Sequence, residues 1–122
     1  CVPQIAEQLR SPADVLKHTL LRSYRADEWN LWFQAAGLPS DTRVPRSVVF
    51  DSSLAMMEAA LQGAGVALAP ARMFSRQLEN DVIRQPFEMG ITTGSYWLTR
   101  LQSRAETPAM VAFKGWLQAS VA

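Results

Sequence analysis

Strand patterns and helix patterns alternate along this sequence, which predicts an α/β fold with a largely parallel sheet. Two short apolar runs, at residues 47–50 and 66–69, are typical of buried strands, and a helical pattern follows each of them. Neighbouring parallel strands need a crossover connection, usually a helix, so this alternation favours parallel pairing. Apolar residues make up 48% and charged residues 19% of the 122 residues, which suits one globular domain.

The first part of the chain predicts one strand between two helices. Ser11 can cap a helix whose first residue is Pro12, and Asp14 stands where a capping box places an acid. Residues 19–24 indicate a short strand. The clearest helix covers residues 27–36, and its aromatic face is interpreted as core, the face being made by Trp29, Trp32 and Phe33.

The remaining elements follow the two apolar runs. A helix after the first run should bury Leu54, Met57 and Leu61, and the glycines at 63 and 65 should end it. The other expected elements are a helix over 72–79, strands over 82–85 and 95–101, and a last helix over 108–120. Residues 1–3 resemble the tail of a strand, and with no initiator Met we expect a piece of a longer protein.

Composition and charge exclude several classes of function. The formal net charge is +1 and no basic stripe is present, so we expect that this segment alone does not bind DNA. Cys1 is the single cysteine and the acids are dispersed, so we expect no disulfide, no metal site and no cofactor. No apolar run could span a bilayer and no signal peptide opens the chain, so we expect a cytoplasmic protein.

Catalytic motifs are equally sparse. His18 is the single histidine, and no Gly-x-Ser-x-Gly nucleophile elbow occurs. We therefore interpret His18 as a partly exposed polar residue and predict no catalytic residues. The glycines at 63 and 65 follow a helix and enter a strand, the reverse of the order in a dinucleotide-binding loop.

The junction of residues 51–53 is the most informative candidate for a binding site. It joins a buried strand to a helix, and open α/β sheets bind ligands outside the carboxyl ends of their strands. The hydroxyls of Ser52 and Ser53 can donate and accept hydrogen bonds there. The alternative is that Asp51 or Ser52 simply caps the helix. Tyr96 is a second candidate, with ordinary packing as its alternative.

Several stretches resemble the effector domain of a LysR-type transcriptional regulator. They are Phe-Asp-Ser-Ser-Leu-Ala-Met at 50–56, Gly-Ala-Gly-Val-Ala-Leu-Ala-Pro at 63–70, Tyr-Trp-Leu at 96–98 and Phe-Lys-Gly-Trp-Leu at 113–117. Within that family, the stretches at 11–14, 19–24, 27–29 and 94–100 are most similar to regulators of β-lactamase expression.

The resemblance implies a sensor that is like a periplasmic binding protein, with two α/β lobes and an effector cleft between them. Residues 1–93 would then form the second lobe, and residues 94–122 a return strand and C-terminal helix toward the first lobe. The DNA-binding helix-turn-helix would lie outside this chain, so that operator DNA is bound only through that domain.

The same resemblance implies the effector and the residues that bind it. Ser53 and Tyr96 would be effector-binding residues, with Ser52 a weaker neighbour. The effector would be a cell-wall muropeptide, either an anhydro-muropeptide or a nucleotide-linked muropeptide, and self-association is expected. Two alternatives remain: a small serine hydrolase that uses Ser52 or Ser53, and a pure oligomerisation module.

Overall fold

The fold is built on three parallel strands, as the sequence predicts. The computed structural model describes residues 1–25, 27–39 and 41–121. The strands are β1 (Leu20–Ser23), β2 (Ser47–Phe50) and β3 (Val66–Ala67), in the order β2-β1-β3. Both pairings are parallel, with Leu20 opposite Ser47 on one side and opposite Val66 on the other.

Helices cover both faces of this sheet. The α-helices are α1 (Pro3–Ala6), α2 (Glu28–Ala35), α3 (Ser53–Leu61), α4 (Ser75–Glu79) and α5 (Pro108–Val121), and 3₁₀ helices occur at Pro12–Lys17 and Ala71–Phe74. The expected strand tail at residues 1–3 is wrong for Pro3, which starts α1, whereas the backbone of Cys1 exchanges two hydrogen bonds with that of Arg84, at 2.8 and 3.3 Å. The helix expected over 72–79 is present as a 3₁₀ turn followed by α4.

The hydrophobic core is divided between the two faces of β1. Leu20 and Leu21 are both fully buried, and because successive strand residues point to opposite faces they belong to different clusters. Leu20 packs with the aromatic residues of α2, which are Trp29, Trp32 and Phe33 and are all buried, so their interpretation as core is confirmed. Leu21 packs with α3.

The buried face of α3 differs from the expected one. Met56, Met57 and Ala60 are buried, whereas Leu54 is 66% exposed. The helix begins at Ser53, and from that start residues 56, 57 and 60 lie on one side, toward β1. Of the expected stripe, Met57 is buried and Leu61 is partly buried against the same cluster, whereas Leu54 is exposed.

Strand β2 is less buried than its apolar sequence predicts. Val48 and Val49 are 46% and 50% exposed. The reason is its place at the margin of the described sheet, where it pairs with β1 on one side only. Strand β3 is shorter than expected, since the ladder ends at Ala67.

Two expected strands do not form within the described residues. Residues 82–85 and 95–101 have no ladder partner, although Ile83 is buried in the core. A strand is stabilised by hydrogen bonds to a neighbour, and no strand of the described chain lies beside either segment. The alternating residues 95–101 are consequently exposed, with Trp97 at 83%. Helix α5 forms as predicted, but none of its described residues is buried.

The capping box at Ser11 is present, although it opens a 3₁₀ helix. The Asp14 carboxylate accepts hydrogen bonds from the backbone N–H groups of Arg10 (2.9 Å) and Ser11 (2.8 Å), and Lys17 lies 2.6 Å from its other oxygen. The bond from Lys17, followed by the backbone bonds, holds the pKa of Asp14 far below its usual range.

Candidate functional site

The carboxyl ends of the three strands meet at one edge of the sheet because the strands are parallel. The residues that follow each strand border a groove of about 940 Å³, and they include Arg25 after β1, Ser53 after β2 and Arg72 after β3. Ligands of open α/β sheets bind at this edge. The groove is therefore the candidate functional site.

Ser52 and Ser53 have different surroundings, although they are neighbours in sequence. The Ser52 hydroxyl oxygen accepts a hydrogen bond from the N–H of Ala55 at 3.4 Å, so Ser52 caps α3, as one of the two interpretations predicted. Ser53 lines the groove and is half-buried, whereas Ser52 is not among the groove residues. Ser52 therefore caps the helix, whereas Ser53 lines the candidate site.

Tyr96 lines the same groove as Ser53. Its hydroxyl donates to the sulfur of Met73, at 3.9 Å, in the 3₁₀ helix that follows β3. The side chain is otherwise 89% exposed, so the alternative of ordinary core packing is wrong for the described chain. Ser53 comes from the β2 side and Tyr96 from the β3 side, and a ligand in the groove could contact both.

The groove also has charged residues that the sequence patterns did not single out. Glu28 accepts a hydrogen bond from the Ser23 hydroxyl at 2.8 Å, which joins the start of α2 to the end of β1. The Arg25 guanidinium lies 6.0 Å from the centre of the Tyr24 ring. Arg72 is exposed at the groove margin. Position directly after a strand was the one signal that could have identified these arginines.

The geometry separates the single histidine from the serines. His18 precedes β1, whereas Ser53 follows β2, and the two strands are parallel. They therefore lie at opposite edges of the sheet, separated by about 13 Å of strand. A nucleophile and its base need hydrogen-bond contact, so His18 cannot activate Ser53 in this arrangement.

Within residues 1–25, 27–39 and 41–121, no three His, Cys, Asp or Glu side chains group closely enough to hold a metal ion. In the same part of the chain, no helix has the length and apolar character needed to cross a membrane.

Comparison with known protein families shows the family to which this chain belongs. Residues 2–122 match the family described as the LysR substrate binding domain. The chain belongs to this family. The predicted resemblance and the predicted fold, a partial α/β effector domain with a parallel sheet flanked by helices, are confirmed.

The similar proteins with curated names include transcriptional activators. The HTH-type transcriptional activator AmpR of Pseudomonas aeruginosa is 70% identical over 117 residues, which is 96% of this chain and 40% of that protein. The AmpR of Citrobacter freundii is 56% identical over the same share of each chain. This chain thus spans about two fifths of the length of the relatives that it matches.

Solved structures show the same fold. The effector domain of AmpR from Pseudomonas aeruginosa has a TM-score of 0.90 and 68% identity, and the match covers 99% of this chain and 60% of that one. A Citrobacter freundii effector-binding domain with three substitutions has a TM-score of 0.90 and 52% identity, covering 100% of this chain and 62% of that one. Those substitutions are a threonine to valine, a serine to alanine and a tyrosine to phenylalanine.

Proposed function

We propose that this chain is the effector-sensing part of a LysR-type transcriptional activator and that a cell-wall muropeptide binds in its groove. The observation that carries the proposal is the joint position of Ser53 and Tyr96. Both line one groove at the carboxyl ends of the strands, in a chain of the substrate-binding family. Two hydroxyls that face one cleft can each form a hydrogen bond with a polar ligand such as a sugar-peptide.

The substituted relative gives independent support for these two residues. Its substituted serine and tyrosine stand as far apart in that chain as Ser53 and Tyr96 stand in this one. Each substitution there removes one hydroxyl group and little else. The loss of these two hydroxyl groups at the matching spacing is consistent with the proposed role of Ser53 and Tyr96. The Ser52 hydroxyl caps α3 and Ser52 does not line the groove, so we propose no direct contact between Ser52 and the effector.

The proposed domain organisation follows the position of the core. Residues 1–93 contain all three strands and both core clusters, and we propose that they form one lobe. Residues 94–122 would return to the other lobe, and Ala122 itself lies outside the described residues. The exposed aromatic residues of α5 and of residues 95–101 support this, since a helix of this composition normally buries an apolar face. DNA would be bound by a separate helix-turn-helix domain.

The proposed mechanism is a shift between two arrangements of the lobes and involves no covalent reaction. An effector that contacts both sides of the groove stabilises the arrangement in which both contacts form. An anhydro-muropeptide and a nucleotide-linked muropeptide differ in size and charge, so they would favour different arrangements and thereby raise or lower β-lactamase expression. The regulator would act in the cytoplasm, where its DNA lies, and as an assembly of several copies.

A serine hydrolase is disfavoured by the position of His18, and an oligomerisation module remains the alternative. The half-exposed valines of β2 are the observation that favours a contact between copies, because an open strand edge is a template for pairing. In that alternative the groove would be empty of ligand. The two functions therefore differ in whether groove substitutions alter induction.

Isothermal titration calorimetry on the intact regulator tests the proposal. The wild type is titrated with an anhydro-muropeptide and with a nucleotide-linked muropeptide, and Ser53→Ala and Tyr96→Phe are then compared with it. Loss of one hydrogen bond should weaken binding by a few-fold to about tenfold in each variant. Ser52→Ala is the matched control, since its hydroxyl bonds to the backbone.

The outcomes separate the hypotheses. Binding that weakens in Ser53→Ala and Tyr96→Phe but not in Ser52→Ala supports the groove. Absence of binding of both muropeptides to the wild type would refute the assignment of the effector. Unchanged induction of β-lactamase in both groove variants would favour the oligomerisation module.

A further inference from the structure

Arg72 occupies a distinctive position in the groove. It lies in the 3₁₀ helix Ala71–Phe74, which residues 68–70 separate from the end of β3, and it lines the groove with Ser53 and Tyr96. It is exposed, so its planar guanidinium can approach a ligand. The following inference rests on the proposed function and concerns which part of the effector Arg72 would bind.

The other charged groups of the groove are largely occupied. Arg84 forms ion pairs with Asp81 (2.7 Å) and Glu7 (3.1 Å), and these carboxylates raise its pKa above the ordinary value. The Glu28 carboxylate accepts a hydrogen bond from the Ser23 hydroxyl. Arg25 lies beside the ring of Tyr24 and also borders a smaller pocket, which it shares with Glu28 and with Asp27, the residue that precedes α2.

Arg72 has no such partner among the described residues. The ion pairs of the described chain do not include it, and Asp51, the remaining carboxylate of the groove, is not within ion-pair distance of it. The sheet order explains this separation. Asp51 follows β2 and Arg72 follows the region of β3, and β1 lies between these strands. Two strand spacings separate their ends by about 10 Å.

This spacing defines the kind of ligand that could use both sides. A molecule that contacts Ser53 and also reaches Arg72 has to cross from the end of β2, past β1, to the segment that follows β3, so it should be elongated. Its end near Arg72 should be an oxyanion, because the planar guanidinium binds carboxylates and phosphates through two parallel hydrogen bonds. A short peptide with a free carboxylate meets both requirements.

We propose that Arg72 is a specificity-determining residue that binds an oxyanion of the effector. The oxyanion has two possible sources, which are a carboxylate of the peptide stem and the pyrophosphate of a nucleotide-linked muropeptide. The shared chemistry is an anionic group at the end of the ligand that lies away from Ser53. Arg72 thereby discriminates charged effectors from neutral fragments of similar size.

Calorimetry on the intact regulator with three ligands tests this inference. The ligands are an anhydro-muropeptide with free carboxylates, the same compound with its peptide carboxylates amidated, and a nucleotide-linked muropeptide with amidated carboxylates. Each is titrated into the wild type, Arg72→Gln and Arg72→Lys. Arg76→Gln is the matched control, because Arg76 is one helical turn further on, is exposed and does not line the groove.

A carboxylate contact predicts that Arg72→Gln weakens binding of the free acid by about tenfold or more and leaves the amidated anhydro-muropeptide unchanged. Arg72→Lys should recover part of the loss, since it keeps the charge but not the paired geometry. A pyrophosphate contact predicts that only the nucleotide-linked ligand depends on Arg72. Either pattern supports the oxyanion.

Equal effects of Arg72→Gln and Arg76→Gln, or no effect of Arg72→Gln on any ligand, would overturn the role of Arg72 while leaving the groove assignment intact. Absence of binding of all three ligands to the wild type would overturn the proposed function together with this inference. Circular dichroism of each variant checks that the fold is unchanged.

Discussion

Gly65→Ala should destabilise the fold strongly, because Gly65 lies where the chain enters β3 beside the start of β1. A methyl group at this position would stand 2.0 Å from the carbonyl oxygen of Thr19. The same carbonyl oxygen accepts a hydrogen bond from the N–H of Val66 at 2.9 Å. This bond comes immediately before the β1–β3 ladder. Gly65 and Val66 are both buried, so neither backbone can move outward freely.

The magnitude follows from the displacement that the methyl group requires. Relief of the contact needs a shift of roughly 1 Å, which breaks a buried backbone hydrogen bond at a cost of about 1–3 kcal/mol. Strained backbone in the adjusted turn adds about 1–3 kcal/mol. The lower conformational entropy of alanine in the unfolded chain offsets about 0.4–1 kcal/mol. We therefore expect the free energy of unfolding to fall by about 2–5 kcal/mol.

Urea unfolding followed by tryptophan fluorescence measures this change, in the effector-binding domain that contains this chain. Gly115→Ala is the control, since no atom lies within 4 Å of the added methyl group and Gly115 lies inside α5. That variant should be neutral or more stable by up to about 1 kcal/mol. The reasoning would be refuted if Gly65→Ala and Gly115→Ala had equal midpoints.

Substitutions at three further positions test local interactions of the fold. Trp29→Phe removes the indole N–H that donates to the Leu21 carbonyl at 3.2 Å, and thermal unfolding should show a loss of about 1–3 kcal/mol; an unchanged midpoint would contradict a role for that bond. Asp14→Asn should destabilise the domain near pH 7. Because folding lowers the pKa of Asp14, its contribution is complete above the unfolded pKa and is lost gradually as pH falls from there toward the much lower folded pKa. In a pH series of urea midpoints, the gap between the two proteins should therefore be constant above about pH 5 and narrow steadily below about pH 4. A gap that stays the same from neutral pH into strong acid would contradict this linkage. Ser52→Ala should cost about 0.5–2 kcal/mol in thermal unfolding, whereas Ser52→Asp, which can still cap, should cost less; equal losses would argue against the cap.

Local patterns predicted the parts of the fold that local physics determines. The aromatic spacing of α2 identified a buried face, and the serine and acid at the start of the Pro12–Lys17 helix identified its capping box. The order of strands and helices was sufficient to predict the parallel sheet. The buried face and the capping box depend on residues within one or two turns of each other, and the sheet prediction depends on the order of the elements along the chain.

The errors fall where burial depends on distant neighbours. Residues 95–101 alternate as a strand does, but no strand of the described chain pairs with them. The valines of β2 are apolar enough for a buried strand, yet the strand lies at the margin of the described sheet. The periodicity of a segment indicates which secondary structure it prefers. It does not indicate whether a neighbouring strand is present to pair with it.

The candidate site was predictable in part. The general rule for parallel sheets was enough to select the strand-to-helix junction of residues 51–53, and the family resemblance favoured Ser53 within it. Tyr96 was a candidate from its place on a predicted strand, with ordinary packing as the alternative, and the family resemblance gave it a role in effector binding. Arg72 was missed, since an isolated arginine after a proline is typical of ordinary surface loops.

The crystal structure of the intact effector-binding domain with a bound muropeptide tests the central proposal most directly. We expect ligand density in the groove, with polar ligand atoms about 2.7–3.2 Å from the hydroxyl oxygens of both Ser53 and Tyr96. Density at another surface, with both hydroxyls out of contact with the ligand, would contradict it.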